Sequence, residues 1–471
     1  MQGEALKRRI EDGFEEQGRT GALDDMMTFA KDFKFGVATS SYQIEGAAAE
    51  DGRTPSIWDT FCRTPGKIYA DQTGDIACDH YHRYKEDVRI LRDLGVNSYR
   101  FSISWPRIFP AYGAYNPKGM QFYKDLIHEL QENGIEPVAT LYHWDLPMWA
   151  YERGGWLNRE SVTWFKEYAT RVFEELNDSV KSWITHNEPF CASILGYDLG
   201  IHAPGHKDLG EALIAAHHIL LSHGVAVQAF RECGFRDSKI GITLNLTPSS
   251  PASNSREDME AASRSDGLSN RWFLDPVFRS SYPEDMKEAF GKIVGDFDFI
   301  RHGDLQTISA GNDFLGVNYY TRSLVKFVQD GVLNYQEVPG DPKNTTAMGW
   351  EICPQALEDL LLRLRREYTQ IPIYITENGA AFDDVLTNDK HVHDAQRIDY
   401  IKAHLSKIAE ANMQGANVQG YFLWSLLDNF EWAYGYSKKF GIVHIDFETQ
   451  ERSLKDSALW YRDTISSRTI E

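Results

Sequence analysis

The stretch HYHRYKEDVRILRDLGVNSYRFSI, residues 80–103, predicts a helix followed at once by a strand. Apolar residues recur at helical spacing over 80–94, and Gly95 then supplies the residue that commonly caps a helix C-terminus. Residues 97–103 are rich in the aromatic and β-branched side chains that strands favour. The segment therefore predicts one unit of alternating helix and strand.

The same alternation recurs along the chain. The predicted strands are 34–40, 97–103, 136–142, 180–187, 239–245, 312–319, 371–376 and 418–424. The helical patterns are 80–94, 119–133, 159–177, 209–231, 355–368 and 394–412. Strands that alternate with helices form a parallel sheet, so this order predicts an α/β fold, a single (β/α)8 TIM barrel with long βα loops. A doubly wound open sheet is the alternative, although the sequence lacks its usual glycine-rich phosphate turn.

Two stretches depart from this alternation. Residues 247–270 are polar and rich in turn residues, which favours a long barrel loop over a linker between domains. Residues 1–26 are charged and precede the first strand, so we expect an N-terminal extension that is disordered or forms a surface helix. The (β/α)8 domain, which would carry any catalytic site, is expected to span residues 27–471.

Composition argues against several classes of partner. The net charge of −20 would repel nucleic acid and anionic membranes, and no local basic patch offsets it. The most apolar long stretch, 212–230, contains three histidines and predicts a buried helix rather than a membrane span. The five scattered cysteines form no CxxC pair, and the N-terminus lacks the apolar core of a secretory signal. We therefore expect a cytoplasmic protein that binds neither nucleic acid nor membrane, with its oligomeric state left open.

Two predicted strands end in glutamates. Glu188 follows the fourth strand in THNEP, and Glu377 follows the seventh in ITENG. Active sites of (β/α)8 barrels lie at the carboxyl ends of the strands, and strands four and seven lie across the ring from each other. Two opposed carboxyls suit glycoside hydrolysis, which needs one carboxyl protonated and the other ionised. Adjacent Asn187 and Glu188 can both face such a site only if the strand end bends.

Arg100 lies inside the otherwise aromatic and apolar second strand. An unpaired buried charge is costly, so we predict a carboxylate partner for it. An arginine beside one glutamate lowers the pKa of that glutamate and keeps it ionised. A purely structural ion pair is the alternative.

A series of motifs gives the chain a clear resemblance to a known family. In order, the motifs are FGVATSSYQIEGA, YRFSISWPRIFP, LYHWDLP, WITHNEP, GVNYYT, YITENG and WSLLDNFEW. With these motifs, which run from about Phe33 to Tyr461, the chain resembles glycoside hydrolase family one, the retaining β-glucosidases and β-galactosidases. The resemblance implies the general acid/base at Glu188 and the nucleophile at Glu377, with Arg100 and Tyr320 orienting Glu377.

The resemblance also implies a substrate-binding set. Its members are Gln43, His143, Trp144, Asn187, Asn318, Trp350, Trp424, Glu431, Trp432 and Phe440. In it, Asn187 would hold the sugar 2-hydroxyl, Trp424 would stack beneath the sugar, and Trp350 would pack on the aglycone. Relatives that take 6-phosphoglycosides have a serine and a lysine near the eighth-strand loop, in place of the pair Glu431-Trp432. The glutamate here favours a neutral sugar.

The implied activity is that of a retaining β-glucosidase. It would remove terminal non-reducing β-D-glucosyl residues, and also β-galactosyl and β-fucosyl residues, from aryl glycosides and short β-glucans such as cellobiose, as in cellulose degradation. The reaction would pass through a covalent glycosyl-enzyme without a cofactor or metal, and the partner would be a small-molecule carbohydrate.

Two other functions stay open at this point. A non-catalytic sugar-binding protein could use the same barrel, although both glutamates are present. A metal-dependent barrel hydrolase could use the pairs His80-x-His82 or His391-x-His393, since such pairs can ligate zinc. Neither pair lies at a predicted strand end, which favours solvated surface histidines.

Overall fold

A closed barrel of eight parallel strands forms the centre of the computed structural model, which describes residues 27–470. The strands are β1 (Lys34–Ala38), β2 (Ser98–Ser102), β3 (Glu136–Tyr142), β4 (Ser182–Asn187), β5 (Lys239–Asn245), β6 (Phe314–Asn318), β7 (Ile373–Asn378) and β8 (Val418–Trp424). Because β8 pairs with β1, the sheet has no edge, and the doubly wound alternative is wrong. The predicted (β/α)8 fold is confirmed. The predicted N-terminal extension, residues 1–26, lies outside the described residues.

Helices surround the barrel in the order that the sequence predicts. The longer ones are α1 (His80–Asp93), α2 (Pro117–Glu132), α3 (Ser161–Leu176), α4 (Leu209–Glu232), α5 (Arg256–Asp266), α6 (Trp272–Arg279), α7 (Glu284–Val294), α8 (Pro354–Glu367), α9 (Ala395–Met413) and α10 (Asp456–Ser467). Shorter α, 3₁₀ or π turns are Ser41–Ile44, Ile57–Cys62, Tyr69–Asp71, Trp105–Ile108, Met148–Tyr151, Gly155–Leu157, Cys191–Asp198, Gly267–Arg271, Asp304–Ile308, Pro342–Asn344 and Trp432–Tyr434. The six predicted helical segments correspond to α1, α2, α3, α4, α8 and α9.

The polar stretch 247–270 belongs to a long barrel loop, as predicted, and has regular structure within it. It lies between β5 and β6, as expected of a barrel loop, but it contains the short strand Ser249–Pro251 and helix α5. The Ser255 hydroxyl accepts a hydrogen bond from the Asp258 N–H and caps α5, while Ala261 and Ala262 are buried. The polar residues therefore form a cap and an exposed helix face rather than an irregular loop.

Helix α4 passes through the interior. Among residues 27–470 it is the one helix long and apolar enough to cross a membrane by length and composition. Inside the protein, 83% of its most apolar window is buried, and it packs against α3. The burial predicted for 212–230 is confirmed.

Small sheets lie outside the barrel. Ser249–Pro251, Ser323–Phe327 and Tyr335–Glu337 form one sheet, and Val443–Ile445 pairs with Arg452–Leu454. Met27–Thr28 and Thr469–Ile470 form an antiparallel ladder that joins the two ends of the described chain. A cavity of about 670 Å³ beside Met27 is also lined by Val418, the first residue of β8. The ladder therefore lies at the face where the barrel strands begin.

Candidate active site

Glu188 and Glu377 belong to one buried hydrogen-bond network at the carboxyl ends of the strands. The Asn318 amide donates to Glu188 Oε1 at 2.8 Å and to Asn187 Oδ1 at 3.0 Å. Asn187 Oδ1 also accepts from Arg100 Nη2 at 2.6 Å, and Arg100 Nη1 donates to Glu377 Oε1 at 2.7 Å. The two glutamates that sequence analysis paired therefore lie in a single site.

A bulge at the end of β4 explains how neighbouring residues both enter this site. The pairing of β4 with β5 changes register between Ile184 and Asn187. Glu188 then adopts the left-handed conformation, with φ of 50°, and its N–H donates to the Thr243 carbonyl at 3.0 Å. The bulge re-aims the side chain, so Asn187 and Glu188 both contact Asn318. The bend that both residues would need in order to face one site is therefore present at the end of β4.

Arg100 has the carboxylate partner that its sequence position predicts. Its side chain is fully buried and forms an ion pair with Glu377. Its remaining donors contact the Thr376 carbonyl at 3.0 Å and the Thr140 hydroxyl at 3.2 Å, in addition to Asn187. This arrangement satisfies the buried guanidinium and fixes the position of one Glu377 oxygen.

The second oxygen of Glu377 is held by Tyr320. The Tyr320 hydroxyl donates to Glu377 Oε2 at 2.6 Å. Burial raises the pKa of Glu377 above its ordinary value, while Arg100 and Tyr320 oppose that rise. Arg100 does lower the pKa of Glu377, as expected from the sequence. The loss of solvent raises the same pKa by more, so the net change is upward.

The surroundings of Glu188 stabilise its ionised form less than those of Glu377 do. Burial and then repulsion from Glu377 raise its pKa well above the ordinary value. The groups that oppose this rise are the neutral Asn318 amide, the Cys191 thiol and, last, Arg100. Because Glu377 alone has an arginine in contact, Glu188 is the carboxyl that keeps its proton to higher pH.

A third carboxyl, Glu431, lies on the loop after β8. Gln43 Nε2 lies 3.5 Å from Glu431 Oε2 and is anchored to Asn429 Oδ1 at 3.0 Å. Burial, together with repulsion from Glu377 and Glu188, raises the pKa of Glu431 to about 8. Gln43 and Glu431 thus form one polar wall of the site.

Aromatic rings form a second wall. The His143 ring lies nearly parallel to the rings of Trp424 and Trp432, with centroid distances of 6.0 and 5.9 Å. Burial lowers the pKa of His143 well below its ordinary value, so the ring is neutral. The Trp144 indole packs 4.5 Å from Trp432 and donates its N–H to the Asn187 carbonyl at 2.9 Å. That indole N–H is therefore engaged in holding the end of β4.

A third group of rings flanks Glu377. Tyr320 lies 5.4 Å from Trp350 and 6.1 Å from Phe440 between ring centroids. Trp350 and Phe440 are 6.2 Å apart. The predicted site residues therefore form one contiguous cluster at the carboxyl end of the barrel, which we call the pocket.

Several residues in contact with this pocket escaped the sequence analysis. They are Thr140, Cys191, Thr243, Thr376 and Asn429. Thr376 directly precedes Glu377, and Asn429 lies inside the motif WSLLDNFEW, so their position in the motifs was the available signal. Thr243 lies outside the motifs, and its hydrogen-bond partner Thr376 is on another strand. The sequence therefore gives no sign that Thr243 lies near the site.

The two HxH pairs lie apart from the pocket. The expected surface position is wrong for His80, which is buried because it pairs with Asp87, whereas His393 is exposed and pairs with Asp456 near the start of α9. Across residues 27–470, no group of three or more His, Cys, Asp or Glu side chains is arranged to hold a metal ion.

Two buried carboxyls in one network at the carboxyl ends of barrel strands are the kind of site that glycoside hydrolysis uses. The model of glycosyl hydrolase family 1 matches residues 25–470. Beta-glucosidase A of Acetivibrio thermocellus is 49% identical, over 94% of this chain and 99% of the relative. A bifunctional beta-D-glucosidase/beta-D-fucosidase of Bifidobacterium breve is 44% identical, with the same coverage. The solved beta-glucosidase of Exiguobacterium antarcticum superposes with a TM-score of 0.92 at 56% identity, over 94% of this chain and 99% of that structure.

The chain belongs to glycosyl hydrolase family 1. The resemblance drawn from the motifs and the prediction of a glycoside hydrolase are confirmed.

Proposed function

We propose that this protein is a retaining β-glucosidase that removes terminal non-reducing β-D-glucosyl residues from aryl β-glucosides and short β-glucans such as cellobiose. One observation carries the proposal: Glu188 and Glu377 share a buried network in which Glu377 alone contacts a cation. The relatives named beta-glucosidase support the glucosyl group, and the bifunctional relative supports β-fucosyl groups as well. The proposal extends to β-galactosyl groups through the family resemblance.

In the first step, Glu377 attacks the anomeric carbon while Glu188 gives its proton to the leaving oxygen. Arg100 and Tyr320 each hold one oxygen of Glu377, which fixes the nucleophile against the sugar. Asn187 Oδ1 is occupied by Arg100 and Asn318, and its amide nitrogen lies 3.2 Å from His143 Nε2, so its remaining N–H would donate to the sugar 2-hydroxyl. The sugar ends as an ester of Glu377.

In the second step, water attacks the glycosyl-enzyme from the opposite face, and Glu188 accepts its proton. Esterification removes the charge of Glu377 and hence its repulsion of Glu188. The pKa of Glu188 then falls from its raised value, which suits the change from acid to base. Two inversions give a product of unchanged anomeric configuration.

The wall formed by Gln43 and Glu431 favours a neutral sugar. The Glu431 carboxyl and the Gln43 amide can exchange hydrogen bonds with sugar hydroxyls, and neither group carries the positive charge that would bind a phosphate. We propose that the reaction takes place in the cytoplasm, since the five cysteines are all free thiols.

The activity is expected to follow a bell-shaped pH profile displaced to high pH. Glu377 must be ionised, so activity rises as the pH increases through its raised pKa. Glu188 must be protonated, so activity falls as the pH increases through a pKa that burial and Glu377 raise. The plot of kcat/KM against pH measures both limbs in the free enzyme. A basic limb near the ordinary glutamate value of about 4.3 would contradict this assignment.

A comparison of nitrophenyl glycosides tests the proposed substrate class. We expect hydrolysis of the β-glucoside, the β-galactoside and the β-fucoside, and none of the α-glucoside. Hydrolysis of the α anomer alone would overturn the proposal. A folded protein that binds glucosides but hydrolyses none of them would instead be the non-catalytic sugar-binding barrel.

A further inference from the structure

A chain of buried hydroxyl and amide groups runs through the barrel to Glu188. On β5, Thr243 Oγ1 donates to Thr376 Oγ1 of β7 at 3.2 Å. Thr376 Oγ1 donates to Asn318 Oδ1 of β6 at 2.8 Å, and the Asn318 amide in turn donates to Glu188. Thr243, Thr376 and Asn318 are each at most 2% exposed, so solvent is excluded from all three side chains.

Gly316 provides the space for this hydroxyl chain. It lies on β6, between β5 and β7, and pairs with Thr243 in the sheet. A Cβ at Gly316 would lie 2.2 Å from Thr243 Oγ1 and 3.0 Å from Thr376 Oγ1. Because the glycine has no side chain, the hydroxyls of β5 and β7 meet across the strand that separates them.

The two threonines select one orientation of the Asn318 amide. The oxygen and nitrogen ends of a primary amide are similar in shape, so their hydrogen-bond partners decide which way it faces. The Thr376 hydroxyl accepts from Thr243 and directs its own hydrogen to Asn318 Oδ1. The amide nitrogen then faces Asn187 Oδ1 and Glu188. The reverse orientation would place the amide oxygen against Asn187 Oδ1, which can only accept a hydrogen bond.

We propose that Thr376, supported by Thr243, is a positioning residue that fixes the Asn318 amide and thereby the proton affinity of Glu188. The inference rests on the proposed role of Glu188 as acid/base. A correctly oriented amide stabilises ionised Glu188, and the Asn318 side chain that supplies it is buried from solvent. Loss of the Thr376 hydroxyl therefore makes Glu188 release its proton at higher pH.

Paired substitutions at Thr376 test this role. Thr376→Val keeps the shape but removes the hydroxyl, and we expect the basic limb of kcat/KM to move up by about half a pH unit or more, with kcat about tenfold lower. Thr376→Ser keeps the hydroxyl and should retain the parent profile. Thr464→Val is the matched control, since its buried hydroxyl donates to the Trp460 carbonyl on α10, with no link to Asn318.

A titration by NMR separates this inference from the proposed function. Protein labelled with ¹³C at glutamate carboxyls, with the Glu188 signal assigned through Glu188→Gln, reports its protonation without any turnover. A parent that hydrolyses nothing would refute the proposed function, while a higher Glu188 midpoint in Thr376→Val would still support the positioning role.

Two results would overturn the positioning role. The first is a Glu188 midpoint in Thr376→Val equal to that of the parent, and the second is a serine variant shifted as far as the valine variant. If Thr376→Val does not fold, Thr243→Val provides the test, because it removes the donor to Thr376. A smaller upward shift supports the role, and an unchanged midpoint refutes it.

Discussion

Glu377→Gly is expected to lose hydrolysis of aryl β-glucosides by at least about 10⁴-fold, because loss of a nucleophile removes the covalent route. Glycine leaves a space beside Arg100 and Tyr320, the two donors that held the carboxylate. Azide can enter that space and attack the anomeric carbon from the same face. We expect azide to restore turnover of an activated β-glucoside and to yield the α-glycosyl azide, measured by NMR of the product.

Two further measurements make this prediction sharp. Removal of a buried ion-pair partner destabilises a protein by about 3–5 kcal/mol, so the melting temperature must show that the variant is folded. Glu136→Gly is the matched control, because Glu136 pairs with Lys34 at the start of β3, far from the pocket, and its loss should leave kcat unchanged. A β-glycosyl azide from Glu377→Gly would mean that the two glutamates have exchanged roles.

Glu188→Ala is expected to produce an effect that depends on the leaving group. An alkyl glucoside or cellobiose needs a proton on its leaving oxygen, so its kcat/KM should fall by about 10²–10⁴-fold. A dinitrophenyl β-glucoside leaves without a proton and should keep most of its kcat/KM. Azide should now give the β-glycosyl azide, because Glu377 still forms the intermediate.

Rates across a series of aryl glucosides check this prediction. The dependence of log kcat/KM on the leaving-group pKa should become steep in Glu188→Ala, and the basic limb of the pH profile should disappear. Equal losses for good and poor leaving groups would exclude Glu188 as the acid. Cys191→Ala is a useful comparison, since it removes a thiol that contacts Glu188 but leaves the carboxyl in place.

The barrel could be predicted because its signals are local. Periodicity and capping at Gly95 are properties of short segments, and each predicted strand overlaps a strand of the barrel. The stretch 247–270 was correctly assigned to a barrel loop, but its helix α5 was not predicted, because serine and aspartate are typical both of turns and of helix caps such as Ser255. Only tertiary burial of the small residues on α5 distinguishes the two.

The site was predictable in its composition but not in its energetics. The motifs identify Glu188 and Glu377, yet the sequence does not show how completely each carboxyl is removed from water. Burial reverses the expected direction for Glu377 and raises its pKa. The chain of hydrogen bonds from Thr243 through Thr376 to Asn318 crosses three barrel strands. It therefore depends on the register of those strands and on the space that Gly316 leaves between them.

The ladder between Met27–Thr28 and Thr469–Ile470 has a practical consequence. Both ends of the described chain leave the fold at one point, on the face opposite the entrance to the pocket. A linker attached near residue 470 would immobilise the enzyme by the face where the barrel strands begin. The face that carries the active site would stay accessible to substrate. If linkers were attached at both ends of the described chain, tension between them would act on this two-stranded ladder and not across the barrel.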